Sequence, residues 1–536
     1  MTAAAAPSRR SMNLAEMLTA NARRIPDRPA VVCGPVRWSW KDLDSAVNLL
    51  AVDLRRRGVT KGDVVLVHSP NHVQFVQAMF AIWRVGAVLA PTNARITPAD
   101  AAEIAAVCTP VALVSHRDCA DHAAAIADAV ELTAGTLWIA AEGADSIAGL
   151  SNTEKAASEA IVNEGVDAED HAWYFFTSGT SGTPKAAILT HFQLSFVINN
   201  HLADLMPGTS EDDASLVVAP LSHGAGVHLL PQVAAGAATI LTESASLDGN
   251  EVWATIAREH VSNVFTVPTI LKKLVEHPAV HRHDHSSLRY VIYAGAPMYA
   301  VDQEAAREVL GDVLVQYYGL GEVTGNITIL RPGDHGRQGL EGVDFGSCGR
   351  PRTGMHVVVL AEDGTSVPTG EQGQICVAGP AVCAGYLNND SANAEAFRDG
   401  WFHTGDLGRF DEQGFLYITG RASDMYISGG SNVYPREIEE KILKHPSVID
   451  VAVVGIPDPV WGEIGVAVWV CAESESTTSE ELGAWLAPFV AKYKLPRHFV
   501  QWSALPTTAY GKVAKKDVKA ELKIRGMQPA VAVSGP

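Results

Sequence analysis

No two cysteines stand in a CxxC pair, and the seven present (33, 108, 119, 348, 376, 383, 471) are scattered and odd in number. That argues against a disulfide frame or a zinc site and fits thiols kept reduced in a cytoplasm. No apolar run reaches membrane-spanning length. The basic stretch Met1 to Ser11 is followed by no apolar h-region, so a signal peptide is not expected, and Ala532-Val-Ser-Gly-Pro536 carries no lipidation or peroxisomal address. Internal repeats and low-complexity segments are missing as well. Positive charge is in short supply: the formal net charge is −19. This excludes a broad nucleic-acid or anionic-membrane surface, so any anionic ligand has to be met by a local positive site.

What is present is an ordinary globular composition, 47% apolar and 19% charged over 536 residues, too long for one core. From Asp63 onward short β-rich runs alternate with helical ones. Val64 to Val67, Ala87 to Ala90, Val111 to Val114 and Leu137 to Ala140 read as strands, and Val73 to Val85 as a helix. The rhythm returns at Leu216 to Val218, Ala238 to Leu241, Val264 to Val267, Tyr290 to Tyr293 and Val313 to Tyr317. Such spacing predicts βαβ units in two α/β subdomains, with ligands at the carboxyl ends of the strands. Beyond about Gly346 short alternating strands (His356 to Leu360, Gln374 to Val377, Phe415 to Ile418) predict a small antiparallel, β-barrel-like unit. After the polar connector Gly420 to Asp424, the helices Tyr434 to His445 and Glu480 to Val490 and the strands Val448 to Val454 and Val466 to Val470 predict a small α+β domain. The expected division is a disordered tail 1–11, a large domain 12–423, a small mobile domain 424–525 and a second tail 526–536.

The chain is organised around Thr177-Ser-Gly-Thr-Ser-Gly-Thr-Pro-Lys185, which follows the apolar run Ala172 to Phe176. Gly179 and Gly182 let backbone N–H groups approach a ligand; Thr177, Ser178, Thr180, Ser181 and Thr183 add hydroxyls, and Lys185 adds a positive charge. This suits a polyphosphate, although a loop of this composition also reads as a solvated turn. It is not a Walker A loop, because Pro184 precedes the lysine and Ala186 follows it. Tyr317-Tyr-Gly-Leu-Gly-Glu322 ends a strand in a bend with one carboxylate, which alone reads as solvated but beside a triphosphate suits Mg²⁺. Trp401-Phe-His-Thr-Gly-Asp406 offers a carboxylate that could accept from a ribose diol or simply close an Asx turn. Arg421 and Asp424 flank the connector, and Lys512 follows a glycine in the last domain.

Taken together and in order, these motifs resemble the adenylate-forming enzymes: acyl- and aryl-CoA synthetases, peptide-synthetase adenylation domains and firefly luciferase. The resemblance spans the glycine-rich loop to Lys512 and implies a two-step reaction with ATP, Mg²⁺ and coenzyme A. An acyl-adenylate forms first, and the CoA thiol then displaces AMP. It implies that residues 177–185 cradle phosphates, that Gly295-Ala296-Pro297, Tyr317, Tyr318, Gly319 and Gly321 line the nucleotide, and that Glu322 holds Mg²⁺. Asp406 would hold the ribose with Arg421 beside it, and Lys512 would serve the first step. Asp424 would be the hinge, and Ser428, Gly429 and Gly430 would line the CoA tunnel. The acyl pocket would be formed by the gating His223 with Gly224, Val267, Gly295, Tyr318 and Gly319.

Two departures stand out. Gly321 replaces the usual Thr before the metal-binding Glu, so that either Thr324 or water substitutes or the phosphate is held less tightly, and Ser423 replaces the usual Lys before the hinge Asp.

The implied activity is an AMP-forming acid–CoA ligase (acid–thiol ligase) of lipid or aryl-acid metabolism, acting on a medium- or long-chain fatty acid or an aryl acid. The alternative is an adenylating enzyme that loads a carrier protein in trans; a silent AMP-binding scaffold and a luciferase-like oxygenase stand further off. A cytoplasmic protein without nucleic-acid partner or membrane span is expected, with a homodimer left open. His281-Arg-His-Asp-His285 reads as an exposed loop, and the basic run Lys512 to Arg525 as a solvated helix face.

Overall fold

The computed structural model describes residues 12–143, 145–150, 161–178, 184–244, 246–296, 298–337, 346–472, 477–508 and 513–526. Among these, four sheets organise the chain. A six-stranded sheet runs in the order Gly135–Ile139, Ala112–His116, Val64–His68, Val88–Thr92, His171–Ser178, Pro184–Thr190. All its neighbours pair in parallel except the last two, which form an antiparallel hairpin. The central strands are buried on both faces, as expected of near-continuous apolar runs covered by helices. Helix Val73–Arg84 is buried all round. It needs no polar face because it is packed between sheet and helices.

A nine-stranded sheet follows the order Arg350–Pro351, Thr328–Leu330, Leu314–Tyr318, Tyr290–Tyr293, Asn263–Thr266, Ala214–Val217, Ala238–Leu241, Pro29–Cys33, Val36–Ser39. The two α/β subdomains are therefore not consecutive in sequence: Pro29–Cys33 leaves the amino-terminal part and pairs in parallel with Ala238–Leu241. These early strands are absent from the sequence pattern, which becomes regular only at Asp63. Local chemistry still marks their surroundings. Ser39 caps helix Trp40–Arg56 in a reciprocal capping box with Asp42, and Thr97 does the same with Asp100 ahead of Pro98–Cys108.

The small β unit is an antiparallel five-stranded sheet, His356–Leu360, Gly373–Ala378, Trp401–Phe410 and Phe397–Arg398, with Leu416–Arg421 on the same edge of Trp401–Phe410 as Phe397–Arg398, further along the strand. After the turn at Asp424 the last sheet assembles Ser431–Val433, Tyr426–Ser428, Gly462–Cys471 and Val448–Asp458, with His498–Gln501 parallel to Gly462–Cys471. Helix Pro435–Ile442 returns to the large domain, where Arg436 Nη1 donates to the Ile418 carbonyl at 3.0 Å. Tyr299, from the large domain, packs against the small domain's apolar cluster. Arg352 lies wholly inside the large domain: it is fully buried, with Nε 3.8 Å from Asp204 Oδ2. The segments 1–11 and 527–536 lie outside the described residues.

Candidate functional site

The strand His171–Ser178 builds one wall by simple alternation. Trp173, Phe175 and Thr177 share a face, while Tyr174 and Phe176 point the other way into a separate apolar cluster. Along the first face each side chain meets a different part of the site. A Cβ on Gly226 would lie 2.7 Å from the Trp173 ring, and a Cβ on Gly321 would lie 2.5 Å from Phe175. The Phe175 ring also meets His223 edge-on at 4.8 Å. Thr177 Oγ1 then donates to Glu322 Oε1 at 3.3 Å.

Lys185 is not in a strand-to-helix loop. It stands in the second strand of a hairpin that opens with Pro184, on the sheet's edge, where a proline's missing N–H is tolerated. Residues 179–183 lie outside the described residues, as do Pro297 and Lys512, and of Ser178 only the backbone is described.

Glu322 sits on a short 3₁₀ turn, Gly321–Val323, and is 7% exposed. It is held at both ends by one segment that sequence reasoning missed. The Cys383 N–H donates to the Glu322 carbonyl at 2.7 Å, and the Tyr386 hydroxyl donates to Oε1 at 2.9 Å. That segment docks along the hairpin through Ala384 N–H to Ile188 O, Ile188 N–H to Gly385 O, and Leu387 N–H to Ala186 O. It sets the Tyr386 ring 5.3 Å from the Lys185 ammonium. Burial and the Glu322 charge push the Tyr386 phenol far above its ordinary range, so it stays a neutral donor. Glu322 Oε2 accepts no hydrogen bond from the described residues. A hard carboxylate oxygen of this kind is a donor that Mg²⁺ uses together with phosphate oxygens.

The bend between Tyr318 and Gly325 is compact because it has little side chain. A Cβ on Gly319 would fall 2.3 Å from the Gly325 backbone. Gly321 has the Phe175 ring where a side chain would go, which explains the missing threonine. Thr324 does not stand in for it: its hydroxyl is buried and donates to the Val323 carbonyl at 2.7 Å. At the near end of the bend, Tyr318 donates to Asp406 Oδ2 at 2.7 Å, and Arg421 Nε donates to Oδ1 at 2.9 Å. Asp406 is 4% exposed and fixed from two sides, yet a carboxylate offers about four lone-pair positions, enough for a diol as well. Asp406 raises Arg421 above its ordinary value, while burial, then Asp406, raise Tyr318.

The structure thus brings Thr177, Lys185, Tyr318, Gly319, Gly321, Glu322, Asp406 and Arg421 into one continuous constellation. Gly295 and Ala296 follow the neighbouring strand Tyr290–Tyr293, and Gly295 adopts φ +86°. His223 and Gly224 open helix Gly224–Ala235. A Cβ on Gly224 would meet the Phe265 ring at 2.8 Å and the Tyr317 hydroxyl at 3.7 Å, and those rings stack at 6.0 Å. Tyr317 therefore faces this aromatic wall, and Val267 caps helix Pro268–Glu276.

Asp424 closes a turn by donating its N–H to the Arg421 carbonyl at 3.1 Å. Gly429 and Gly430 form a hairpin tip at φ +58° and +81°, and Gly429 N–H donates to the Trp461 carbonyl at 2.9 Å. Among the described residues no hydrogen bond or ring contact joins Ser428, Gly429 or Gly430 to Glu322 or Asp406.

A family model described as AMP-binding enzyme matches residues 18–387, and one described as AMP-binding enzyme C-terminal domain matches 437–512. A feruloyl-CoA synthase from an Amycolatopsis species is 34% identical, over 95% of this chain and 99% of its own length. An indoleacetate–CoA ligase from Aromatoleum aromaticum is 32% identical, over 95% and 98%. The solved amide bond synthetase McbA from Marinactinospora thermotolerans is similar with a TM-score of 0.86 at 29% identity, over 95% of this chain and 99% of that one.

Proposed function

Because the chain belongs to the AMP-binding enzyme family, within the adenylate-forming superfamily of AMP-forming CoA synthetases, we propose that it activates an aryl or medium- to long-chain carboxylic acid as its adenylate and passes the acyl group to coenzyme A. One observation carries this reading: the unbroken path Thr177, Glu322, Tyr318, Asp406, Arg421, which puts a phosphate-side and a ribose-side carboxylate one short bend apart. A carboxylate is a poor electrophile. Attack of its oxygen on the α-phosphorus of ATP expels pyrophosphate and gives the acyl carbon a good leaving group. Attack by the CoA thiol then expels AMP.

Orientation and charge neutralisation supply most of the barrier lowering in such a reaction. Lys185 and the hairpin face the phosphates; Tyr386 and Thr177 hold Glu322; Tyr318 and Arg421 hold Asp406 towards the ribose. Mg²⁺, when bound, would neutralise phosphate charge, with Glu322 as its carboxylate. Lys512 serves the first step, and rotation about Asp424 brings the Ser428-Gly429-Gly430 hairpin in for the second. The stacked Phe265 and Tyr317 rings and the small Gly224 support a flat aryl acid, in line with the substrates named for the two relatives.

The test is a panel of aryl and fatty acids assayed for pyrophosphate release with ATP, and for thioester by mass spectrometry with CoA. Acid-dependent release followed by an acyl-CoA is the expected outcome. Release without thioester, relieved by a phosphopantetheinyl protein or by an amine, moves the acceptor, the latter in keeping with the similarity to an amide bond synthetase. No acid-dependent release at all overturns the proposal.

A further inference from the structure

The six-stranded sheet has a topological switch point of its own. Strands Val64–His68 and Ala112–His116 are parallel neighbours, but the chain leaves the first towards Val88–Thr92 and the second in the opposite direction, towards Gly135–Ile139. Outgoing connections that diverge in this way open a cleft at the strands' carboxyl ends, where open α/β sheets take ligands. His68 is the last residue of the first strand. Cys119 and His122 follow the second, on the short turn Arg117–Cys119 and on helix Ala120–Ala129. One ligand atom from each lies within 4.8 Å of the other two.

The hydrogen bonds around them leave the right nitrogens bare. His68 is 0% exposed, and its Nδ1 lies 2.7 Å from Thr92 Oγ1, which is itself placed to donate to the Val67 carbonyl at 3.4 Å. Nδ1 therefore carries the proton and Nε2 the lone pair, and Nε2 has no partner although it is buried. A polar atom left so is costly and rare, which marks it as a place for a missing partner. His122 Nε2 lies 2.8 Å from the Ile96 carbonyl, which can only accept, so Nδ1 bears the lone pair. A histidine whose outer nitrogen donates to a hydroxyl or a carbonyl is oriented as metal-binding histidines are. Cys119, 6% exposed, adds a soft sulfur. Nearby His72 and His116 are occupied differently: each Nδ1 accepts a backbone N–H, from Gln74 and Asp118, as a helix cap.

We propose that His68, Cys119 and His122 bind one divalent cation of the borderline-soft class, Zn²⁺ above all, with a fourth position left for water. Two imidazoles and a thiolate are a donor set that selects Zn²⁺ over Mg²⁺ or Ca²⁺. The His68 and His122 rings stack at 4.6 Å, so the His122 ring, the one ligand not buried, tilts about its Nε2–H bond to the Ile96 carbonyl to admit the ion.

Titration of the full chain with Co²⁺, and equilibrium dialysis against Zn²⁺ with metal analysis, test it. One equivalent per chain is expected, with a thiolate-to-cobalt charge-transfer band. Cys119→Ser should abolish the band, and His122→Ala should weaken binding by about 10-fold or more. A variant with His281, His283 and His285 all replaced by alanine should bind as before. Absence of stoichiometric binding, binding unchanged in Cys119→Ser and His122→Ala, or loss in the 281–285 variant each overturn the proposal. Should Cys119→Ser fail to fold by circular dichroism, the wild-type chain crystallised with Zn²⁺ decides. An anomalous peak bonded to Cys119 Sγ supports the site, and peaks only elsewhere refute it.

Discussion

The Tyr386 hydroxyl donates to Glu322 Oε1 at 2.9 Å across 64 residues of sequence, and the same ring lies under the Lys185 ammonium. Tyr386→Phe keeps the ring and removes only the donor to an ionised carboxylate, worth about 1.5–3 kcal/mol. A fall of about 10- to 100-fold in kcat/KM for ATP is expected in acid-dependent pyrophosphate release. An unaltered kcat/KM would separate Tyr386 from the site.

Restoring threonine at 321 should harm rather than help. Its Cβ would come within 2.5 Å of Phe175, an overpacking that costs about 1–3 kcal/mol. Gly321→Thr should therefore lower the urea midpoint, and adding Phe175→Ala should recover part of the loss. Independent, additive effects of the two changes would contradict the assigned clash.

Asp204 compensates the buried Arg352, and its two oxygens also accept from the Thr353 N–H and hydroxyl, each at 2.9 Å. Burial lowers the Arg352 guanidinium to about 10. Asp204→Asn leaves that cation without a counter-charge, and a loss of about 3–5 kcal/mol is expected in chemical unfolding. A loss below about 1 kcal/mol would show that the pair is not coupled.

Burial in the contact between the domains raises the Glu440 carboxyl from 4.5 to about 7, opposed by Arg436. The folded value lies above the unfolded one, so its contribution is present in full below pH 4.5 and is lost as pH rises through about 7. The small domain should unfold more readily at about pH 8 than at about pH 5, by on the order of 3 kcal/mol. Glu440→Gln should flatten this dependence in urea titrations at the two pH values. A slope that survives the substitution would assign it to another group.

The two half-reactions should separate by mutation. Lys512→Ala is expected to abolish adenylate formation while sparing thioester formation from pre-made acyl-AMP. Asp424→Pro, which fixes φ at the turn, should do the reverse. Single-turnover assays of each half-reaction check both. Equal loss in each would remove the assigned division of labour.

Much of this was legible in the chain. Tyr290 to Tyr293 and His356 to Leu360 form strands with the bounds their periodicity gives, and Thr177, Glu322, Tyr318 and Asp406 converge as their motifs imply. What escaped is long-range. Pro29–Cys33 finds its partner some 200 residues on, through pairing that no local pattern records. Tyr386 has no motif of its own; only the docking of 383–387 along the hairpin gives it a role. The glycine at 321 has no local reason in the sequence; the Phe175 ring fills the place of its side chain.

Tyr299 belongs to the large domain yet rests among the apolar side chains of the small one, next to Glu439 and Glu440. Any swing of the tail must first strip that phenol of its neighbours and wet it, at about 1.5–3 kcal/mol for a large side chain. The pose seen here therefore acts as a detent. In the proposed rotation about Asp424, a ring seated in a socket sets when the movement begins, and removing the ring should leave the tail to wander between orientations.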